Sequence, residues 1–359
     1  MKKIIFGITS LTLGGAEKVL VDLANKLSEN YDITSNVKLK TIFDFQFNEL
    51  SNLKKKITAL KILFFKKYYY KKYIKRDYDI EIAFLEGPIT RLFSVKNKNT
   101  RKIAWIHNDI SKVYGKGFKA KLKMAIDKKI YEKYRTLIFV SKDNRDKFVE
   151  KYKDIRDRNL QPLQKRVIYN YINPNKVLKE AEEELEDIFD NQVINFLTVA
   201  RLVEQKAIDR VIKVHKRLID EGYKHKFYVI GDGPEKENLE KMIKENNVRE
   251  TFILLGKKEN PYPYIKNADI FCLLSEFEGY GMVLEEAKIL SKPIIITDTA
   301  AREALVGYSN SKIAENTEEG IYVKLKEVIK NKEIIFSKVE GEKYNNDKII
   351  KRLVKLFEE

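Results

Sequence analysis

The residues with the clearest chemical potential are two glutamates and two glycines that follow an apolar segment in the second half of the chain. Residues 270–274 are all apolar, which is typical of a buried parallel strand. Glu278 lies in the following turn, Gly279 and Gly281 open a helix, and Glu286 lies further along it. The first amides of a helix have no partner inside it and attract anions. We therefore expect a phosphate or sugar to bind on this turn, beside Glu278 and with Glu286 deeper in.

Two basic residues could neutralise the same anion. Residues 194–200 predict another buried strand, and Arg201 and Lys206 follow it before the next helix begins. Arg presents a planar fork of donors and Lys a mobile point charge, so that together they could clamp a diphosphate. A solvated turn would explain the two residues if they stood alone.

The first half of the chain offers further candidates. Gly14 and Gly15 separate an apolar strand from an amphipathic helix over residues 16–27, where backbone amides can cradle an anion or a sugar. Their spacing does not match the Gly-x-Gly-x-x-Gly of dinucleotide sites, and a tight turn is the simpler explanation. His107 closes another apolar strand and is one of three histidines, although a lone histidine is most often structural.

Strands and helices alternate twice along the chain, which predicts an α/β protein of two doubly wound, Rossmann-like domains that face a cleft. The length of 359 residues also exceeds what one hydrophobic core commonly supports. We expect an N-terminal domain over residues 1–172 and a C-terminal domain over residues 173–340. A final helix, within residues 341–359, is expected to pack back on the first domain. Residues 171–174 are expected to form the linker, because Asn173 and Pro174 interrupt both regular patterns.

Charge separates the two halves of the chain. The net charge is +17, but residues 1–170 carry 39 Lys and Arg against 18 Asp and Glu, a net of +21, whereas the remaining residues carry a net of −4. The first half is therefore suited to an anionic partner, either nucleic acid or an anionic membrane surface. Because the sequence contains no recognised RNA- or DNA-binding module, we expect the membrane and no nucleic acid.

One basic and aromatic segment is the strongest candidate for that surface. Residues 54–76 contain ten Lys and Arg and no acidic residue, with aromatic side chains interleaved. Such a segment can lie in a membrane interface, with its rings at headgroup level and its lysines on anionic lipid. The alternative is a helix whose apolar face packs on its own sheet, and both can hold for different faces. We expect these side chains to face the membrane: Lys66, Lys67, Lys71, Lys72, Tyr69 and Tyr70.

Other features limit the compartment and the chemistry. Cys272, the single cysteine, offers neither a disulfide nor a metal cluster and fits a reducing compartment. No run reaches the roughly 18 apolar residues needed to span a bilayer. Residues 1–13 superficially resemble a signal peptide, but a helical pattern follows at once, so that we expect a strand. Asp77 and Asp79 form an Asp-x-Asp without partner carboxylates, and we expect no metal there.

Two segments resemble a known enzyme family. Residues 278–287 read Glu-Gly-Tyr-Gly-x-Val-x-Glu-Glu-Ala, and Lys-Pro-Ile-Ile follows shortly after. This string resembles the E-x7-E signature of the retaining glycosyltransferases of family 4, which have the GT-B fold. Residues 201–206 match the family's Gly-Arg-Leu-x-x-x-Lys-Gly segment, except that Ala200 and Ala207 replace its glycines. The resemblance covers about residues 3–355 and is closest to bacterial capsular and surface-polysaccharide transferases.

The resemblance implies a function. It implies retaining transfer of a hexose or N-acetylhexosamine from a nucleotide diphosphate sugar, UDP-sugar above all, to a lipid-linked saccharide, with no metal or other cofactor. Such an enzyme would be cytoplasmic and peripherally attached to the inner face of the cell membrane. The implied catalytic residues are His107, Glu278, Arg201 and Lys206. The residues expected to bind the nucleotide sugar are Gly14, Gly15, Arg201, Lys206, Gly256, Lys257, Glu278, Gly279, Tyr280, Gly281 and Glu286.

Two alternatives keep the same fold. A nucleotide-sugar epimerase would use a similar cleft and would form a hydrolysis or isomer product without an acceptor. A non-catalytic partner subunit of a transferase would have a degenerate cleft, and the intact Arg201, Lys206 and paired glutamates count against it.

Overall fold

The chain forms two compact units. The computed structural model describes residues 1–8, 15–34, 52–108, 117–153, 155, 163–186, 188–335 and 346–359. The first unit consists of Met1–Ile172 and Asn346–Glu359, and the second of Asn173–Asn345. The chain thus leaves the first unit after Ile172 and returns to it at Asn346.

The first unit is built on a parallel sheet. Its strands are β1 (Lys3–Gly7), β2 (Asp32–Thr34), β3 (Ile80–Ala83), β4 (Arg101–Ile106), β5 (Thr136–Phe139) and β6 (Gln164–Val167). Its first helices in the described ranges are α1 (Gly15–Leu27), α2 (Asn52–Tyr73), α3 (Pro88–Phe93), α4 (Phe118–Tyr131) and α5 (Lys142–Lys151). The strand order β2-β1-β3-β4-β5-β6 reverses between β1 and β3.

The second unit repeats this architecture with a different order. Its strands are β7 (Ile194–Val199), β8 (His225–Ile230), β9 (Phe252–Gly256), β10 (Ile270–Leu273), β11 (Ile294–Thr297) and β12 (Ser311–Ala314). Its helices in the described ranges are α6 (Pro174–Glu180), α7 (Ile208–Asp220), α8 (Lys236–Glu245), α9 (Tyr262–Asn267), α10 (Met282–Ile289) and α11 (Glu318–Ile335), with 3₁₀ turns at Glu204–Lys206 and Ala300–Leu305.

The order of this second sheet indicates where a ligand is expected to bind. The strands follow β12-β11-β10-β7-β8-β9, and every pair is parallel. Strand order therefore reverses between β7 and β10, and in open α/β sheets ligands bind outside the carboxyl ends of the strands at such a reversal. The prediction of two doubly wound α/β units is confirmed.

Apolar strands and one-sided helices explain why these elements form. Both β10 and β11 are buried along their whole length, as expected for strands that have helices on both faces. Helix α7 buries Val211, Ile212 and Leu218, which recur at helical spacing on one face, and these pack into the core of the second unit.

Helix α2 has an inner and an outer face. Tyr70 is buried on the inner face, where its hydroxyl donates to Glu81 of β3, and Lys102 of β4 pairs with the same carboxylate. Burial raises the pKa of Tyr70, so that it keeps its proton. The prediction that Tyr70 faces a membrane is therefore wrong, because its ring fills the core and its hydroxyl satisfies a buried charge.

The other predicted membrane-facing residues differ in exposure. Lys67, Lys71 and Lys72 are exposed, whereas Tyr69 is half-buried and stacks on Tyr73. Lys66 is also half-buried, and its Nζ donates to Ser94 Oγ at 3.2 Å. Burial and the neighbouring Lys133 lower the pKa of Lys66 to about 8.

The C-terminal helix α12 (Asp347–Glu358) packs within the first unit. Lys2 Nζ donates to the carbonyl oxygen of Phe357 at 2.8 Å, and the ring of Phe357 meets Tyr31 edge-on at 5.7 Å between centroids. Arg101 of β4 also donates to the carbonyl oxygen of Leu356. Cationic donors thus satisfy carbonyls that the end of a helix leaves unpaired.

Two of the three histidines are buried together in the second unit. The rings of His215 and His225 lie edge to face, 4.5 Å between centroids. One nitrogen of His215 bonds Thr251 Oγ1 and one of His225 bonds the carbonyl oxygen of Tyr223, both at 2.8 Å. Burial lowers the pKa of His215 to about 2 and that of His225 to about 4, so that both are neutral near pH 7.

This pair predicts a loss of stability in mild acid. Below about pH 6.5 both imidazoles bind protons in the unfolded chain but stay neutral in the folded unit. The free energy of unfolding therefore falls with pH, down to about pH 4 for His225 and about pH 2 for His215. Between pH 7 and pH 5 we expect a loss of about 2 kcal/mol for each histidine, measured by urea unfolding. The double variant His215→Gln/His225→Gln should show a correspondingly flatter pH profile, and parallel profiles would contradict the prediction.

Candidate active site

Two loops meet at the strand reversal of the second unit. One follows β7 and contains the 3₁₀ turn Glu204–Lys206, and the other follows β10 and leads into α10. Gln205 joins them twice. Its carbonyl oxygen accepts from the amide of Glu276 at 3.0 Å, and its side-chain Nε2 donates to the carbonyl oxygen of Phe277 at 2.8 Å.

An ion pair completes this junction. Lys206 Nζ contacts the carboxylate of Glu278, and Ser275 Oγ donates to the same carboxylate oxygen at 2.7 Å. The two charged side chains are 18% and 7% exposed, which places both in a region of reduced dielectric. The structure therefore brings together two residues, 72 positions apart in the chain, that the sequence predicts for one site.

The turn after Glu278 has a backbone that requires glycine. Gly281 has φ 74° and precedes the first residue of α10. A Cβ at this position would lie 2.9 Å from Leu273 Cδ2 and 3.2 Å from Leu284 Cδ1. Glycine thus brings the amide end of α10 close to the end of β10, where the helix can attract an anion.

The side chain of Tyr280 holds the turn from inside. It is buried, and its hydroxyl donates to Glu285 Oε1 at 2.7 Å. Glu285 pairs with Lys288 at 2.9 Å, and Lys288 also donates to the carbonyl oxygen of Ala304 in the loop after β11. The phenol of Tyr280 therefore anchors the turn to α10.

The remaining predicted residues of this unit lie at the same edge of the sheet. Glu286 is buried on α10, and Tyr262 donates to its Oε1 at 3.3 Å. Arg201 is exposed at the end of β7, and Lys257 is exposed at the end of β9. Gly256 has φ 69°, and its carbonyl oxygen accepts from the amide of Gly231 at 2.9 Å.

Sequence reasoning missed one cation that supports the loops. Arg210 of α7 donates to the carbonyl oxygen of Leu274 at 3.0 Å and to Asn316 Oδ1 at 2.9 Å. Asn316 in turn donates to the carbonyl oxygen of Glu276 at 2.7 Å. Arg210 lies in the first turn of α7, but its partners are the carbonyl oxygen of Leu274 and the side chain of Asn316, which no sequence pattern reveals.

Three predicted nucleotide-sugar or catalytic residues belong to the first unit: Gly14, Gly15 and His107. Gly14 is outside the described residues, and Gly15 is the exposed first residue of α1. His107 follows β4, with its ring 4.7 Å from that of Phe84 and 6.0 Å from that of Trp105 between centroids. Burial lowers the pKa of His107 to about 3, so the imidazole is neutral near pH 7.

In the described part of the chain, no group of three or more His, Cys, Asp and Glu side chains is arranged to hold a metal ion. Asp79, of the Asp-x-Asp noted above, accepts from the amide of Lys3 at 2.7 Å beside β1.

Comparison with known proteins finds a family match within the second unit. Residues 179–346 match the family described as "Glycosyl transferases group 1". The matched segment includes both loops of the site described above. The match covers just under half of the chain and supports a glycosyltransferase.

Two curated relatives and one solved structure extend this comparison. An uncharacterized glycosyltransferase of Methanocaldococcus jannaschii is 28% identical over 60% of this chain, which spans about half of that relative (53%). The N-acetylgalactosamine-N,N'-diacetylbacillosaminyl-diphospho-undecaprenol 4-alpha-N-acetylgalactosaminyltransferase of Campylobacter jejuni is 28% identical over 84% of this chain and 83% of its own length. The crystal structure of Anabaena HepE with UDP matches over the full length of both chains, with a TM-score of 0.73 and 14% identity. This likeness identifies the GT-B fold.

Two alanines stand where the resembling family has glycine, and their backbones differ. Ala207 has φ 48° and ψ 40°, the left-handed conformation, at the start of α7. Ala200 is not among the residues with positive φ, and its amide donates to the carbonyl oxygen of Ile230 at 2.9 Å. Only Ala207 therefore keeps a conformation that L-residues avoid.

Glycine substitutions at these positions should have opposite effects. Ala207→Gly relieves the left-handed strain and is expected to raise the free energy of unfolding by up to about 1 kcal/mol. Ala200→Gly is the matched control. It relieves no strain and raises the conformational entropy of the unfolded chain, so it should lower the free energy of unfolding by about 0.5–1 kcal/mol. Urea denaturation followed by circular dichroism measures both, and shifts of the same sign would contradict the assignment.

Proposed function

We propose that the chain is a retaining glycosyltransferase of family 4 that moves a hexose or N-acetylhexosamine from a UDP-sugar to a lipid-linked saccharide. The observation that carries this proposal is the contact between Lys206 and Glu278 at the strand reversal of the unit that contains the glycosyltransferase group 1 match. A cation, a carboxylate and a helix amino end in one place suit a sugar bound through a diphosphate.

The chemistry requires stabilisation of a leaving group. As the bond from the sugar to the diphosphate breaks, negative charge builds on the phosphate oxygens. Arg201, Lys206 and the amides at Gly281 and beyond would stabilise that charge where it develops. Glu278 would hold a hydroxyl of the donor sugar and Glu286 the ribose hydroxyls, while His107 would give the sugar a neutral hydrogen bond.

Two cationic side chains and the helix amides could balance the diphosphate without a metal ion. Arg provides a bidentate fork for phosphate oxygens, and Lys a mobile point charge. We therefore include metal independence in the proposal. It predicts that turnover survives a chelator.

The class of acceptor rests on a relative. The Campylobacter jejuni protein is named for an acceptor on diphospho-undecaprenol, a lipid carrier. That relative covers most of this chain, which supports a lipid-linked saccharide as the acceptor and a place in bacterial surface-polysaccharide synthesis, of which capsule is one form.

The outer face of α2 supports attachment to an anionic membrane surface. Phe64, Phe65 and Tyr68 expose 74%, 62% and 62% of their surface, and exposed lysines at Lys61 and Lys72 continue the same face. Large aromatic side chains beside lysines are suited to the headgroup region of an anionic leaflet. In the described part of the chain no helix has the length and apolarity to cross a bilayer. On the strength of the exposed aromatic and basic face of α2, we propose a peripheral enzyme on the inner face of the cell membrane.

Release of nucleoside diphosphate from a panel of UDP- and GDP-sugars, with membrane extract as acceptor, tests the activity. We expect turnover of one donor, unaffected by a chelator. Lys206→Ala and Glu286→Ala should each lower kcat about 100-fold or more, because they remove charge stabilisation and ribose contacts. Lys241→Ala, at a lysine 71% exposed on α8, is the control and should leave turnover unchanged.

The same assay separates the alternatives. Acceptor-independent hydrolysis or an isomerised sugar would favour an epimerase. Absence of turnover and of nucleotide binding with every donor would contradict the proposal and favour a non-catalytic partner subunit.

Liposome co-sedimentation tests the membrane surface. Binding should require anionic lipid, weaken with salt, and fall about 10-fold or more in the triple variant Phe64→Ser/Phe65→Ser/Tyr68→Ser. Val306→Ser/Val323→Ser removes exposed apolar side chains from the second unit and should have no effect. Binding that ignores both lipid charge and salt would contradict the proposed surface.

A further inference from the structure

A carboxylate in the first unit binds the backbone that carries His107. Glu86 lies just after β3, and its Oε1 accepts from the amide of His107 at 2.6 Å and from the amide of Asn108 at 2.7 Å. The side-chain Nδ2 of Asn108 donates to Oε2 at 3.2 Å. Burial raises the pKa of Glu86, and these donors oppose that rise. Three donors thus converge on one carboxylate at the ends of two neighbouring strands.

His107 is also held at its carbonyl group and at its ring. Asn144 of α5 donates from Nδ2 to the carbonyl oxygen of His107 at 3.2 Å. The rings of Phe84 and Trp105 pack against the imidazole. His107 Nε2 is buried and has no hydrogen-bond partner among the described residues. A buried polar atom without a partner is uncommon, and a ligand hydroxyl would supply one.

We propose that Glu86 is a positioning residue for His107: its carboxylate fixes the backbone at 107–108, so that the imidazole keeps a single orientation for the donor sugar. This inference rests on the sugar contact proposed above for His107. Oε1 of Glu86 accepts from two backbone amides and Oε2 accepts from the side chain of Asn108. The proposed role of Glu86 is therefore to act through the backbone that carries His107.

The chain is well suited to a direct test because it has only three histidines, and two of them lie in the second unit. Imidazole signals in ¹H–¹³C NMR spectra can therefore be assigned by His107→Ala. In Glu86→Ala the His107 signals should shift and broaden, because the imidazole then adopts more than one orientation. The signals of His215 and His225 should stay in place. Glu86→Gln keeps a carbonyl acceptor for the two amides and should restore the single His107 signal set.

This spectrum is informative whether or not the chain transfers sugar. An unchanged His107 signal in Glu86→Ala would overturn the positioning role even if the enzyme is active. A loss of all three native histidine signal sets would mean that the variant is unfolded. In that case Asn144→Ala, which frees the carbonyl side of His107, must reproduce the His107-specific change, or the proposal fails.

Kinetics then connect the positioning to the reaction. With the sugar that turns over, Glu86→Ala should lower kcat about 10- to 100-fold with little change in donor KM, and Glu86→Gln should recover most of it. In a His107→Ala background, Glu86→Ala should cost less than about twofold more, because residues that act as a unit are not additive. Independent, multiplicative losses would show that Glu86 acts apart from His107.

Discussion

The ion pair between Lys206 and Glu278 is the constraint on which the site of the second unit depends. It joins the loops that follow β7 and β10, on the two sides of the strand reversal. Both side chains are largely buried, so removal of either would leave the other charge without its partner. Gln205 adds two hydrogen bonds across the same junction, and Gly281 lets α10 begin close beneath it. Cation, carboxylate and helix amides therefore hold their spacing before a ligand binds, which is the arrangement that electrostatic stabilisation of a leaving group requires.

Net charge and local charge have different roles in the two halves of the chain. Residues 171–359 carry a small net negative charge, yet Arg201 and Lys206 are held at the one edge of the sheet where an anion is expected. Attraction there comes from the arrangement of a few groups. The excess of lysine belongs to the first unit, where α2 exposes aromatic rings among lysines on one face and buries Tyr70 against Glu81 and Lys102 on the other. One helix thus combines an internal anchor with a surface suited to anionic lipid.

Periodicity predicted most of the fold, because buried parallel strands such as β10 and β11 are continuously apolar and can be recognised without tertiary information. It could not predict which aromatic residues of α2 face inward, since a break in helical geometry at Phe65 changes the register of the two faces. Asn173 and Pro174, predicted as linker, are the cap and first residue of α6, a start signal that is equally compatible with that sequence. The sequence could not predict the contacts of Gln205, Arg210 and Glu86, because each of these side chains bonds backbone atoms of residues distant in the chain. Sequence patterns identify charged residues but not the carbonyls and amides they meet.

Titration calorimetry with UDP and with UMP would test the site of the second unit most directly. The β-phosphate is expected to contact Lys206 and the amide end of α10, so UDP should bind wild type at least about tenfold more tightly than UMP. In Lys206→Met that difference should nearly vanish while UMP affinity is retained, and Lys241→Met should behave as wild type. Equal affinities of UDP and UMP for wild type, or a UDP preference that survives Lys206→Met, would contradict a diphosphate site at the junction of the two loops.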